Sequence, residues 1–182
     1  VPVNPKVKDV NQNGKYDQED QFIYNKIPKF TGGLNTTLKY KNLDLNLYFY
    51  SRVGYGQKIG LLTYEAGSSR MNHLDVDFWT PDNPSNTFPK PVGSNTQPLL
   101  EQSDYAYRNL SFLRLKNINL GYTFPAQMIE KIKVNRLRVY LAVDNPFVWT
   151  FNNFEGLDPE NCYAYDSHRP LTSFVFGLNV SF

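Results

Sequence analysis

The chain has 182 residues and a formal charge of +2, with 41% hydrophobic and 15% aromatic residues. That length fits one domain, and so small a charge gives no electrostatic case for a nucleic-acid partner. No apolar run approaches the roughly 18 residues a spanning helix needs, which excludes helical spans but not the weaker strand signal of a membrane barrel.

The chain starts Val1-Pro2-Val3, with neither Met nor a signal peptide, and so reads as a mature or cut piece of something longer. Residues 9–20 read D-V-N-Q-N-G-K-Y-D-Q-E-D. Oxygen-bearing side chains recur at the spacing of a calcium loop, with glycine at the sharp turn. Asp9, Asn11, Asn13, Asp17 and Asp20 would ligate by side chain, and Lys15 by its carbonyl. The last ligand is Asp rather than Glu, and two carboxamides stand where carboxylates are common, so ligand charge and reach are reduced. The competing reading is an Asn/Asp/Gly-rich turn that binds nothing.

Strand patterns follow. Leu34, Thr36, Leu38 and Tyr40 alternate with Asn35, Thr37 and Lys39. After Lys41-Asn42 the alternation resumes, with Leu43, Leu45, Leu47 and Phe49 against Asp44, Asn46, Tyr48 and Tyr50. Two such runs joined by a two-residue loop predict a hairpin. One face is apolar, and the other carries Lys and Asp, which suits a watery interior better than a packed core.

From 54 to 109 the alternation disappears among Gly, Pro, Ser and Asn, and a long loop is expected, with a short helix somewhere in 59–74. The run D-V-D-F-W-T-P-D-N-P from Asp75 reads as a packed rather than a ligand-contacting loop. A strand over 111–124 breaks parity: Leu113 and Leu115 oppose Ile118, Leu120 and Tyr122. A bulge near Lys116-Asn117 would realign them; alternatively the first part stands outside the membrane. Pro125 ends this strand, and one or two helical turns fit 126–133. Residues 135–145 alternate again, with Leu137, Val139, Leu141 and Val143 opposite Arg136, Arg138, Tyr140 and Ala142. A second long loop is expected from Pro146 to about Thr172.

The last stretch, S-F-V-F-G-L-N-V-S-F, is the strongest signal. Phe174, Phe176, Leu178, Val180 and Phe182 share one face; Val175, Gly177, Asn179 and Ser181 share the other. Its length matches the roughly 9–11 residues with which a tilted strand crosses a bilayer.

These patterns predict an all-β, antiparallel up-and-down meander of about five transmembrane strands, near 30–41, 43–53, 111–124, 135–145 and 173–182. Residues 1–29 form a loop carrying the candidate calcium turn, and 30–182 the barrel portion. Connections alternate short and long, so short turns gather at one end and long loops at the other, as in outer-membrane barrels. Five strands cannot close, since the smallest such barrels have about eight. The chain is then an arc of a larger barrel. The alternative is a soluble, calcium-stabilised β-sandwich that binds carbohydrate.

Catalysis has little support. His73 and His168 are far apart in sequence, Asp75 and Asp77 carry no mark of a catalytic pair, and no nucleophile elbow, phosphate loop or zinc spacing occurs. Cys162, the sole cysteine, excludes an intramolecular disulfide framework and reads as a spare loop residue.

The segments D-V-N-Q-N-G-K-Y-D, P-K-F-T-G-G-L, F-W-T-P-D-N-P, F-L-R-L-K-N-I-N-L-G-Y-T-F-P, L-R-V-Y-L-A-V-D-N and F-G-L-N-V-S-F, in that order, resemble the C-terminal part of SusC/RagA-like TonB-dependent outer-membrane transporters. The resemblance implies a barrel of about 22 strands, enclosing a plug, with a SusD-like surface lipoprotein as a lid. It implies import of oligosaccharides or peptides driven through TonB, with plug and TonB contact lying upstream. It places the chain in a Gram-negative outer membrane, in contact with lipid, with its long loops extracellular and its C-terminus periplasmic. The end also resembles the barrel-insertion signal, through Gly177, Val180 and Phe182; Val175 stands where that signal has a polar residue.

Overall fold

Period-two alternation builds the main sheet. The computed structural model describes residues 8–21, 24–60, 62, 79–85, 106–151, 158–162 and 168–182. The long strands are β1 (Phe30–Tyr40), β2 (Leu43–Val53), β5 (Phe112–Thr123), β6 (Arg136–Thr150) and β7 (Ser173–Ser181). They form one antiparallel sheet in the order β1-β2-β5-β6-β7, an up-and-down meander as predicted. Two further strands, β3 (Gly56–Lys58) and β4 (Tyr107–Asn109), pair with each other.

The chain falls into two compact units. One comprises Lys29–Val53, Ser111–Phe151 and Pro170–Phe182 and contains the five-stranded sheet; the other comprises Val1–Pro28, Gly54–Leu110 and Asn152–Arg169.

In the sheet unit, Lys41 takes a left-handed φ of 52° to turn β1 into β2. The amide of Thr123 donates to the Asn42 carbonyl at 2.9 Å, which ties this turn to the end of β5. Pro125 stops β5 because proline cannot donate to a ladder. The expected helical turns follow as α1 (Ala126–Ile129) and a 3-10 turn, Glu130–Ile132, closed by Lys133 at φ 54°. The remaining connections all leave from the opposite end of the sheet, and they are the long ones.

The predicted bulge is present. The register jumps from Leu115 to Asn117: against β2 Lys116 is the extra residue, while against β6 it stands opposite both Asn145 and Pro146. Leu113 and Leu115 thereby join the face of Ile118, Leu120 and Tyr122, so no part of β5 needs a separate environment.

Two expectations are corrected. β6 does not stop at 145 but runs to Thr150. Asn145, at φ 50°, and Pro146 sit opposite the β5 bulge, where a missing amide breaks no ladder bond. Phe147 and Trp149 then pair with Leu115 and Leu113. The stretch 54–109 is not wholly loop either, since β3 and β4 lie within it. Other strand ends move by one residue, the usual latitude of such boundaries. Most of the candidate helix in 59–74, and His73, Asp75 and Asp77, lie outside the described residues.

The second unit has its own apolar centre: Tyr55, Ile59, Leu62, Ala106, Leu110 and Cys162 are buried. Tyr24 stacks on Tyr107 at 4.8 Å, and its ring lies over Gly56, where a Cβ would leave no room. Burial pushes the Cys162 thiol up to about 12, so it stays protonated and unreactive at neutral pH.

Candidate functional site: the two faces of the sheet

Registered partners in a sheet share a face, so the pairing assigns every side chain. The first face carries Leu34 and Leu38 on β1, Leu45 and Leu47 on β2, Ile118 and Leu120 on β5, Leu141 and Val143 on β6, and Phe176 and Leu178 on β7. No charged residue of these strands falls on it. It is open over most of its extent: Leu34 is 61% exposed, Phe174 65% and Phe176 80%, with Leu115 beside the bulge the buried exception. An apolar surface of this extent exposed to water would be strongly unfavourable. The sandwich alternative fails here, because a sandwich buries this face against a second sheet.

Aromatic residues gather at both ends of the first face. Phe30, Phe147, Trp149 and Phe174 stand at the end with the long connections, and Tyr40, Tyr122 and Phe182 at the other. Phe147 stacks on Trp149 at 5.9 Å, and Tyr122 meets Phe124 edge-on at 5.0 Å. Along a strand from Phe30 to Tyr40 the rise is about 33 Å, which at a barrel tilt of about 40° projects to about 25 Å, the height of an outer-membrane apolar band.

The second face is polar and its groups bond to one another. The Asn46 amide donates to Asn35 at 2.8 Å and to Thr37 at 2.9 Å. Asp144 accepts from Asn117 at 2.7 Å and from Ser173 at 3.3 Å. Arg52 donates through Nε to the Tyr50 hydroxyl at 2.6 Å, and the Lys116 ammonium lies 4.6 Å above the Tyr50 ring. Phe112, Ala142, Val148 and Val175 are its apolar exceptions, and Phe112 is fully buried there.

The strongest contact on this face is an ion pair. Arg138 on β6 reaches across β5 and grips Asp44 on β2, with Nε 3.1 Å from Oδ1 and Nη2 bonded to Oδ2. One strand, β5, separates these residues, and Gly121 on it makes the reach possible: a Cβ there would fall on the guanidinium. Gly177 plays the same part for Tyr140, whose ring lies directly over it. A glycine in a strand interior weakens it unless something must pass close; here a long side chain does. The sequence pattern put Arg138 and Asp44 on one face but not in contact, because cross-strand register was not legible.

In the loop at 9–20 the side chains of Asp9, Asn11, Asn13, Asp17 and Asp20 bond to the loop's own amides. Asp9 accepts from the amides of Asn13 at 3.2 Å and Gly14 at 2.7 Å, and Asn13 accepts from Lys15 at 2.7 Å. Asn11 accepts from Asn13 at 3.1 Å. Asp20 accepts from Val10 at 2.8 Å and Asp17 at 3.0 Å, which ties the two ends of the loop. The amides of Asp17 and then Val10 hold the Asp20 carboxyl below its usual range. Asp17 caps the 3-10 turn Gln18–Asp20. Gly14 sits at φ 78° with open space around it, so the backbone angle and not crowding calls for glycine. Among the described residues no three His, Cys, Asp or Glu side chains group closely enough to hold an ion; the predicted set relies on carboxamide and carbonyl oxygens beside its three carboxylates.

At the C-terminus, Val180 and Phe182 stand exposed on the first face while Gly177 lies under Tyr140 on the second. His168 is exposed, and its carbonyl accepts from Asn161 at 3.2 Å.

No family model matches the chain. TonB-dependent receptor P3 of Formosa agariphila is 31% identical over 191 residues, which cover 96% of this chain and 18% of that protein. TonB-dependent receptor SusC of Bacteroides thetaiotaomicron is 31% identical over 189 residues, covering 100% of this chain and 18% of SusC. The chain thus spans about a fifth of the length of these curated relatives. Among solved structures, the RagAB peptide importer in its closed-closed state matches with a TM-score of 0.68 and 25% identity, over 99% of this chain and 21% of that one. Its open-open state matches in fold with a TM-score of 0.69. An antiparallel meander with one largely open apolar face and one bonded polar face, together with relatives aligned end to end, assigns this chain to the SusC/RagA-like TonB-dependent receptors as a segment of their β-barrel.

Proposed function

We propose that the chain is part of the wall of an outer-membrane TonB-dependent importer that takes up oligosaccharides or peptides together with a SusD-like surface lipoprotein. One observation carries this reading: the first face is apolar, exposes apolar side chains on all five strands and is bounded by aromatic rows. Such a face is at home against lipid, where every backbone group of a strand must find its partner in a neighbouring strand. The second face then lines the lumen, where water and paired charge are tolerated. The long connections face the cell exterior and the C-terminus faces the periplasm. The plug and the contact with TonB belong to parts of the transporter outside this chain. No step in this role calls for a catalytic residue.

The terminal segment, through Gly177, Val180 and Phe182, serves as the barrel-insertion signal. The full-length protein is expected in the outer-membrane fraction, released only by detergent, and Phe182→Ala should reach that fraction more slowly in pulse-chase. Recovery of the protein in the soluble fraction would overturn the reading, and unchanged kinetics for Phe182→Ala would show that this residue is dispensable for insertion.

The loop at 9–20 is proposed to hold calcium, a hard cation that prefers oxygen ligands. Asp9, Asn11, Asn13, Asp17 and Asp20 would supply side-chain oxygens and Lys15 its carbonyl. Chelation with EDTA should speed protease cleavage near Asp9 while leaving the strands intact; cleavage at the same rate with and without EDTA argues against the ion.

A further inference from the structure

All charged residues of the five strands lie on the second face, and at its short-turn end the signs do not balance. Asp44 is the carboxylate there. Arg138 is bonded to it, Lys39 stands opposite it in the register, and Arg136 also acts on it through space. Among the strand residues at this end three cations surround one carboxylate, an excess of two positive charges on the strands. Arg136 pairs in register with Ser181, and Arg138 with Asn179. These four residues, with Val180, line a cleft of about 320 Å³, near the small end of the range of ligand pockets. Its polar lining offers the Arg136 guanidinium, a carboxamide N–H and a hydroxyl, while the Arg138 fork is closed on Asp44. A guanidinium fork matches the two oxygens of a carboxylate.

We propose that this cleft is a binding station for a carboxylate carried on the cargo, so that the importer favours acidic cargo, either sugar-acid oligosaccharides or acidic peptides. The inference rests on the importer reading above and narrows it. A cluster of like charge on the wall of a conduit raises the local concentration of the opposite charge. Asp44 keeps Arg138 in place across Gly121, while Arg136 and Lys39 supply the attraction. Because such an attraction is screened, the preference should fall as salt rises.

The test uses the full-length transporter in cells. Uptake is measured for a uronate oligosaccharide and a neutral one of equal length, and for a glutamate-containing peptide against its glutamine counterpart. The wild type should favour the acidic member of at least one pair; whichever pair shows the preference identifies the source of the carboxylate. In the double variant Arg136→Gln, Lys39→Gln, checked for folding by heat-modifiable mobility, the acidic-to-neutral ratio should fall by about fivefold. An unchanged ratio, including a proportional loss of both cargoes, overturns the proposal. A wild type that imports neither pair overturns the importer reading itself, and one that imports both members of each pair equally overturns only the charge preference.

Discussion

Phe176→Arg in the full-length protein is expected to lower stability in phospholipid vesicles by about 2–4 kcal/mol, the cost of a guanidinium on the lipid face near mid-bilayer. Val175→Arg, one residue away, should change it by no more than about 0.5 kcal/mol. Phe176 stands 80% exposed on the first face beside Leu141, whereas Val175 stands on the second beside Ala142. Hydrophobicity alone would rank the two sites as similar, since both hold apolar residues. Only the direction of the side chain separates them. Equal losses at both positions would mean that β7 has the same environment on both sides.

The second large effect is expected at Gly121. A Cβ there falls on the Arg138 guanidinium, so Gly121→Val must push Arg138 off Asp44. Overpacking of this kind costs about 1–3 kcal/mol. The expectation has an internal control. In an Arg138→Ala background the obstacle is gone, and the same Gly121→Val substitution should lose most of its cost. Non-additivity of that kind marks residues in contact. A cost that persists in the Arg138→Ala background would show that Gly121 matters for backbone reasons unrelated to the ion pair.

The strands were legible in the sequence because alternation is a local signal with a short period. Residues 43–53 and 173–182 declare their two faces unaided. The bulge at Lys116 was legible too, since parity fails there and only an extra residue restores it. What sequence did not show follows from geometry between strands. Pro146 looked like a terminator, but the bulge opposite it gives proline a place where its missing amide is harmless. β3 and β4 are too short for any periodicity to register. Gly121 and Gly177 each clear space for a side chain on the neighbouring strand, which the alternation pattern does not show. The pairing of Arg138 with Asp44, residues far apart in the chain, depends on a register that no local pattern encodes. The loop at 9–20 was legible as a turn with oxygens at a fixed spacing, but that the structure closes these oxygens on the loop's own amides was not.

The central claim is that the two faces of the sheet meet different solvents, oil on one and water on the other. A nitroxide scan along β7 in the full-length protein, with Cys162 replaced by Ser, tests it most directly. Labels at 174, 176, 178 and 180 should be relaxed mainly by oxygen, which partitions into lipid. Labels at 175, 177 and 179 should be relaxed mainly by a water-soluble nickel chelate, giving two profiles that alternate out of phase. Profiles that rise and fall together, or even-numbered positions shielded from both reagents, would contradict the account.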